Sequence, residues 1–170
     1  KFLRGYGYQG GAGRANWSEG ANQDTFGGEF KDALMKPGDW EFFITGFAEC
    51  LPYYENKVSL NREYLDKWER PTLVIDAEFK ENELAINKQI QIDAVEMLEK
   101  AGLRDIVGFD NEHGMGYGIH EMGTARMGRD PKTSVLNGTN QVHAVKNVFV
   151  TDGACMASSS CVNPSLTYMA

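Results

Sequence analysis

The amino-acid sequence predicts an α+β fold in which an antiparallel sheet is packed with helices. Short aromatic and β-branched segments follow one another in the middle of the chain, separated by turn residues. A single long stretch with helical spacing comes after them. Thirteen of the 19 glycines fall within residues 5–28 and 114–128, which marks these regions as backbone that turns sharply or approaches other groups closely. Strands segregated from helices in this way are typical of an α+β domain.

Length and charge limit the classes of function. A chain of 170 residues can bury roughly 70% of its unfolded surface, so a sizeable core is expected. The net charge of −7 argues against a nucleic-acid partner, because phosphate binding needs clustered Lys and Arg. The longest apolar runs are too short to span a bilayer, and no signal-peptide pattern is present.

The first glycine cluster contains Gly5-x-Gly7-x-x-Gly10, which matches the spacing of a dinucleotide-binding loop. That motif needs a strand before it and a helix after it. The run that follows is too rich in Gly and Asn for a helix, and Asp24 does not end a strand. A glycine-rich loop without a phosphate site is therefore predicted here.

Three strands are predicted in the middle of the chain, at Glu41–Cys50, Val58–Leu60 and Thr72–Phe79. The last of these alternates apolar and other residues, so that one face carries Leu73, Ile75, Ala77 and Phe79. We expect these strands to pair antiparallel.

A helix is predicted over residues 81–101, where apolar residues recur at helical spacing. Acidic residues crowd its first turn, Lys100 lies in its last turn, and Gly102 is placed to end it. This amphipathic helix is expected to lie on the sheet.

The final third contains weaker signals. Asp105–Phe109 is a further strand candidate, and Asn147–Val150 is predicted as a buried strand that ends at Asp152-Gly153. A last helix is predicted to begin at Asn163, with its side chain as the cap and Pro164 in the first helical position.

The three cysteines, Cys50, Cys155 and Cys161, are odd in number and form no C-x-x-C pair. Reduced thiols in a cytoplasmic protein are expected. The chain begins without Met and stops about two turns into its last predicted helix, so we expect a fragment of a longer protein.

Four segments of the final third carry the functional signal. They are GYGIHEMGTARMG (residues 116–128), DPKTSVL (130–136), NVFVTDG (147–153) and SSCVNPSLT (159–167). In this order and spacing they resemble the carboxy-terminal signature of the glucose-methanol-choline (GMC) oxidoreductases, flavin enzymes that oxidise alcohols. The resemblance is strong over about residues 115–170 and loose before them.

The resemblance implies roles for particular residues. His120 matches the family's active-site histidine, which would take the hydroxyl proton while hydride passes from the substrate carbon to flavin N5. Asn163 matches the second catalytic position and would hydrogen-bond the substrate oxygen. Asp152 and Gly153 correspond to a contact with FAD, and Asn163 and Pro164 begin a helix whose amino end would stabilise the negative charge of a reduced flavin.

The resemblance also implies a division of the chain. Residues 1–114 would be part of a substrate-binding domain, and residues 115–170 a catalytic segment that returns to the FAD-binding domain. The remaining FAD-binding part would lie elsewhere in the same polypeptide, so the isolated chain is expected to bind flavin weakly or not at all. The resemblance implies an alcohol as the substrate, and we expect a sugar or a polyol.

Two alternatives remain at this stage. Metal-dependent hydrolysis would use His113, His120 and His143 with Glu112 or Glu121, but these spacings fit no compact zinc motif. A non-catalytic carbohydrate-binding or assembly module would use Trp17, Trp40 and Trp68. We expect surface positions for His113 and His143, and an ion pair that holds the loop for Arg126.

Overall fold

A computed structural model describes residues 1–14, 25–110 and 113–170 of the chain. It divides into two compact units, one formed by Lys1–Tyr6 with Ala48–Ala170 and the other by Gly7–Phe47. Trp17, Asp24 and Glu112 lie outside the described residues. The functional boundary between residues 114 and 115 stays a prediction, because a division by contacts does not test it.

The unit Gly7–Phe47 contains a two-stranded sheet and a short helix. Strand β1 (Tyr6–Arg14) pairs with β2 (Trp40–Ala48), and α1 spans Gly28–Leu34. The structure confirms the strand predicted at Glu41–Cys50, which corresponds to β2. The loop predicted for the opening glycines is wrong, because these residues lie in β1. A Cβ atom added to Gly10 would lie 2.1 Å from the Phe43 carbonyl oxygen, so glycine lets this strand approach its partner. Tertiary pairing here outweighs the low β propensity of glycine.

Strands β3 (Lys57–Leu65) and β4 (Pro71–Asp76) confirm the antiparallel pairing predicted for two of the three strands, whereas β2 pairs with β1 and not with them. Val58 lies opposite Ile75, and Leu60 lies opposite Leu73. Directly opposite residues point to the same side of a sheet, so these four residues form one apolar face. That face is open to solvent, with exposed fractions from 42% at Val58 to 73% at Ile75. Ala77 and Phe79, predicted on the same face, are not part of it, because β4 ends at Asp76.

Helix α2 spans Glu81–Lys100, which confirms the predicted helix to within one residue. It ends in a Schellman motif: the Leu103 amide donates to the Leu98 carbonyl at 3.1 Å, and the Gly102 amide to the Glu99 carbonyl at 2.9 Å. Gly102 has a φ of 84°, a left-handed conformation that glycine adopts at little cost. The glycine signal therefore predicted the end of the helix for the right reason.

The expectation that α2 lies on the sheet is wrong, because the helix does not pack broadly across β3 and β4. Side-chain hydrogen bonds instead tie the helix to other segments of the same unit. The Asn82 side chain accepts from the Leu3 amide at 2.7 Å, and Tyr6 donates to the Asp93 carboxylate. Glu83 accepts from the Leu51 amide at 3.0 Å. The helix is thus held by polar contacts to the irregular segments at Leu3 and Leu51 and to Tyr6, the first residue of β1.

Most of the region after α2 is irregular. Asp105–Phe109 is not a strand, and neither is Asn147–Val150. In place of the second, single bridges link loops, including Leu136 with Val142 and Gln141 with Phe149. Phe149 is 56% exposed, so the predicted buried strand is corrected to an exposed loop. Leu136 is fully buried and takes part in two of these bridges, so it holds the loops together.

The apolar core is small. Across the described ranges the buried apolar residues are Ile86, Leu136, Cys155 and Pro164, whereas many large apolar side chains are exposed. The expectation of a sizeable core is therefore wrong for this chain, because apolar faces such as that of β3 and β4 have nothing packed on them within it. None of the helices in the described ranges is long and apolar enough to cross a membrane.

Candidate active site

Two signature segments run side by side in the structure. The Gly123 amide donates to the Gly153 carbonyl at 3.3 Å, and the Ala125 amide donates to the Ala154 carbonyl at 2.9 Å. The Met127 amide continues this series by donating to the Cys155 carbonyl at 2.9 Å. Alternate amides of the GTARM segment therefore hold the chain after Asp152 in register. Backbone bonds of this kind fix the separation of the two segments.

Asp152 begins the one-turn 3₁₀ helix Gly153–Cys155. One of its carboxylate oxygens accepts from the Ala154 amide at 2.9 Å, which is the usual capping bond of an acidic residue. The residue remains exposed, while Cys155 in the same turn is only 8% exposed. The turn thus has a buried side that packs and an exposed side that carries a negative charge.

His120 follows a strained position. Ile119 has a φ of 55°, which a β-branched residue rarely adopts. The Gly118 amide donates to the Glu121 carboxylate at 3.0 Å and closes the bend around this position. His120 itself is half-buried, and its imidazole makes no hydrogen bond to another described residue. Its ring nitrogens are therefore not occupied by structural bonds within this part of the chain.

The last helix starts later than predicted. Helix α3 spans Ser165–Met169, with Pro164 at the cap position and no capping bond from a side chain. The buried Pro164 supplies its carbonyl to the Thr167 amide at 2.9 Å and to the Tyr168 amide at 3.3 Å. Asn163 is exposed and precedes the helix, so its predicted capping role is wrong. Its side-chain amide makes no hydrogen bond to any residue that the structure describes.

Helix α3 contacts the segment that follows His120. The Tyr168 hydroxyl donates to the Met122 sulfur at 3.2 Å, across 46 positions of sequence. A Cβ atom added to Gly153 would lie 2.5 Å from that sulfur and 2.8 Å from the Tyr168 oxygen. No local pattern marks Met122 or Tyr168, so sequence reasoning missed both. Three segments of the predicted site thus meet at Gly153.

The structure therefore brings together the segments that carry the predicted site residues. His120 lies three positions before the first bond of the backbone series, Asp152 and Gly153 lie at its other side, and Asn163 and Pro164 lie just before α3. The side chains of His120 and Asn163 do not hydrogen-bond to each other among the described contacts. Their catalytic roles, and the roles of Asp152, Gly153 and Pro164 in cofactor binding, stay predictions.

His143 has a structural environment that the sequence did not predict. It is half-buried, and its Nε2 atom lies 3.1 Å from the Ser134 hydroxyl and 3.2 Å from the Gly128 carbonyl. Because the Ser134 hydroxyl donates to the Asp130 carbonyl at 2.7 Å, its oxygen is placed to accept a hydrogen bond from the Nε2–H group of His143. The expectation of a surface position is wrong for His143, which fastens the polar turn between residues 128 and 134.

The other two singled-out residues have simpler surroundings. His113 is exposed, as expected, and stacks on Tyr117 with ring centroids 5.1 Å apart. The Arg126 side chain makes no ion pair within the described ranges, so the predicted pairing is wrong. The loop is held instead by the Arg126 carbonyl, which accepts from the Val135 amide at 3.1 Å and the Leu136 amide at 3.2 Å.

Metal chemistry was the first alternative. Among the residues that the structure describes, no three His, Cys, Asp or Glu side chains are grouped so that they could hold a metal ion. Glu112 lies outside that set. The three cysteines form no disulfide, and Cys50 is exposed while Cys155 is buried.

These observations define a class of protein. The fold is α+β with two-stranded sheets, and a backbone series joins the signature segments to the turn at Asp152. A family model described as GMC oxidoreductase matches residues 52–170. The chain belongs to the GMC oxidoreductase family.

Individual relatives resemble the chain at moderate identity. It is 35% identical over 120 residues to paromamine 6'-oxidase of Streptomyces fradiae, with 70% of this chain and 22% of the relative covered. It is 32% identical over 126 residues to 2-methyl-1,2-propanediol dehydrogenase of Mycolicibacterium austroafricanum, with 71% and 22% covered. Fructose dehydrogenase large subunit of Gluconobacter japonicus is 29% identical over 125 residues, with 72% and 22% covered. The chain thus spans about a fifth of the length of these relatives.

Proposed function

We propose that residues 1–170 form the substrate side and the catalytic segment of a longer FAD-dependent enzyme that oxidises an alcohol. The observation that carries this proposal is the match to the GMC oxidoreductase family over residues 52–170. The names of the relatives support the reaction class, because they describe oxidases and dehydrogenases. The rest of the same polypeptide would supply the main FAD-binding half.

The polar groups of the predicted site fit contacts with a cofactor and a substrate. The His120 imidazole and the Asn163 amide make no hydrogen bonds to described residues, and Asn163 and Asp152 are exposed. A half-buried imidazole that served the fold alone would be expected to have a protein partner, which His120 lacks among the described residues. Asp152 and Gly153 would lie against the middle portion of FAD, and Pro164 would keep the chain before α3 in place.

The reaction divides a two-electron oxidation between the cofactor and the protein. FAD, when bound, supplies the acceptor for the hydride that leaves the carbinol carbon. His120 takes the proton of the substrate hydroxyl on an imidazole nitrogen, and the C–O bond becomes a carbonyl. Asn163 donates from its side-chain amide to the substrate oxygen and holds the C–H bond in line for transfer. A positioned imidazole is the usual base for such a step near neutral pH.

We propose a sugar or a polyol as the substrate. The supporting observation is that one relative is named for a sugar, fructose, and another for a diol. Exposed Asn163 and half-buried His120 offer one donor and one acceptor for a polyhydroxylated molecule. Reduction by a panel of sugars, polyols and simple alcohols under anaerobic conditions would rank these classes.

The first experiment is a visible spectrum of the longer polypeptide that carries this chain. We expect a bound flavin whose absorbance bleaches when an alcohol substrate is added without oxygen. A purified polypeptide that holds no flavin would contradict the proposal. Binding of a sugar without any redox change would favour a carbohydrate-binding module instead.

The role of His120 is tested by His120→Ala in the same polypeptide. We expect the variant to keep its flavin and to lose about 10²–10⁴-fold in the rate of reduction by substrate. His113→Ala is the matched control, because His113 is an exposed histidine of the same glycine-rich region. Equal rates in the two variants would show that His120 is not the base.

A further inference from the structure

A contact between α3 and the segment after His120 lies outside the catalytic groups named above. The Tyr168 hydroxyl donates to the Met122 sulfur at 3.2 Å. Met122 lies two residues after His120, and Tyr168 lies five residues after Asn163. The contact therefore joins the two segments that carry the proposed catalytic side chains.

The packing at this contact leaves no space for a further atom. A Cβ atom at Gly153 would lie 2.5 Å from the Met122 sulfur, 2.8 Å from the Tyr168 oxygen and 3.2 Å from the Met122 methyl carbon. Carbon atoms in proteins do not approach other heavy atoms this closely without displacing them. The Met122 and Tyr168 side chains thus rest directly on the Gly153 backbone, beside the turn that Asp152 begins.

The chemistry of the pair favours a fixed geometry. The pKa of Tyr168 is raised above its usual value by desolvation, and then by the negative charge of Asp152. The side chain therefore stays a hydroxyl donor across the neutral range. A thioether is a weak acceptor, so the bond adds little to the free energy of folding. Its direction nevertheless limits where the Met122 side chain and the ring of Tyr168 can lie.

The buried Pro164 at its start and the Tyr168 contact hold helix α3 to the rest of its unit. The helix spans Ser165–Met169 and begins directly after Pro164. Leu166 and Met169 are 79% and 75% exposed, so they do not anchor it within this chain. Half-buried Tyr168 is the residue of α3 whose side chain makes a hydrogen bond to another described segment.

We propose that Tyr168 is a positioning residue whose hydrogen bond to Met122 sets the position of Asn163 relative to His120. This inference rests on the proposed function, in which those two side chains act on one substrate. A displacement of Met122 moves His120, which is two residues away. A displacement of Tyr168 moves Asn163 through helix α3. In the proposed mechanism, Tyr168 and Met122 contact neither the substrate nor the cofactor.

The test is Tyr168→Phe in the longer polypeptide, which removes the hydroxyl and keeps the ring. We expect an unchanged flavin content and about a tenfold slower reduction per bound flavin at saturating alcohol, because misplacement of reacting groups by a fraction of an ångström is costly. The substrate concentration for half-maximal rate should change less than the rate. The control is Tyr64→Phe, the same change at a tyrosine that is 72% exposed.

A double-mutant cycle identifies the bond. Met122→Leu removes the sulfur acceptor at similar volume, so it should slow reduction to the same extent as Tyr168→Phe. If both act through one bond, the double variant should be no slower than either single variant. A rate within twofold of wild type for Tyr168→Phe, or effects that multiply in the double variant, would overturn the proposal.

Hydrogen exchange gives a readout that needs no flavin. Loss of the contact should lower the protection of the Gly123, Ala125 and Met127 amides in Tyr168→Phe but not in Tyr64→Phe. Unchanged protection would overturn the positioning role whatever the flavin result. Lowered protection in a polypeptide that no alcohol reduces would instead support the positioning role of the contact. It would reject only the proposed function.

Discussion

Glu83 is the buried charged residue of the described ranges, and its surroundings explain how α2 is fixed. It is 4% exposed and accepts hydrogen bonds from the Leu51 amide at 3.0 Å, the Lys80 amide at 3.1 Å and the Asn82 side chain at 3.2 Å. Desolvation raises the pKa of Glu83, but these hydrogen bonds together lower it below the usual 4.5. The carboxylate therefore joins the first turn of the helix to the chain before β3.

This environment predicts the effect of Glu83→Gln. A buried carboxylate with several donors contributes about 1.5–3 kcal/mol per charged hydrogen bond, and an amide would face at least one donor with its own NH₂ group. We expect a loss of about 2 kcal/mol at pH 7, measured by urea unfolding. Glu81→Gln, in the same helical turn but exposed, is the control and should remain within about 0.5 kcal/mol of wild type.

The pH dependence of stability follows from the direction of the shift. Because the pKa of Glu83 is lower in the folded chain, its contribution is present above about pH 4.5 and is lost as pH falls through the folded value. The wild type should therefore lose stability on acidification more steeply than Glu83→Gln over that range. Parallel pH profiles of the two proteins would show that Glu83 does not carry this contribution.

At the scale of elements, the turn Gly153–Cys155 determines how α3 meets the rest of its unit. The backbone series to Gly123, Ala125 and Met127 fixes one side of the turn, and the Met122 and Tyr168 side chains lie on the other. The arrangement of the candidate site is therefore a property of loops held together, rather than of a sheet.

Gly153→Ala is expected to disturb this arrangement. The added Cβ would lie 2.5 Å from the Met122 sulfur, so Met122 and Tyr168 have to move or the turn has to shift. Because the atoms met are the ends of the flexible Met122 and Tyr168 side chains, we expect the free energy of unfolding to fall by only about 1 kcal/mol. Gly138→Ala is the control, because a Cβ there would meet nothing within 4 Å. Equal stabilities of the two variants would mean that the site accommodates the methyl group without cost.

At the scale of the whole molecule, exposed apolar surface is the main feature. Val58, Leu60, Leu73 and Ile75 form an apolar face on β3 and β4 that nothing in the described chain covers. Contiguous apolar surface of this kind normally marks a region that is covered in the complete protein. The observation agrees with our proposal that a longer polypeptide contains this chain, which spans about 22% of its relatives' length.

Binding of a hydrophobic dye tests this interpretation. The 170-residue chain should enhance the fluorescence of ANS, and Leu73→Lys should reduce the enhancement while changing the free energy of unfolding by less than about 0.5 kcal/mol. Ser59→Lys is the control, because Ser59 is exposed on the opposite face of the same strand pair. No enhancement by the chain, or equal enhancement in both variants, would contradict an accessible apolar face.

The sequence by itself determined the elements whose signals are local. Acidic residues at the start and Gly102 at the end placed α2 to within one residue, and β-rich segments predicted β2, β3 and β4. The order and spacing of four motifs indicated the family, which the match over residues 52–170 bears out. Capping, turn and spacing rules act over a few residues, so one sequence contains the information that they need.

Only the tertiary structure decided what depends on partners distant in sequence. The opening glycines form a strand because β2 pairs with them, and the predicted buried strand at Asn147–Val150 is loop because single bridges hold it. The contact of Tyr168 with Met122 spans 46 positions and has no local signal. Side-chain packing is a property of groups that folding brings together, and a single sequence does not record which groups those are.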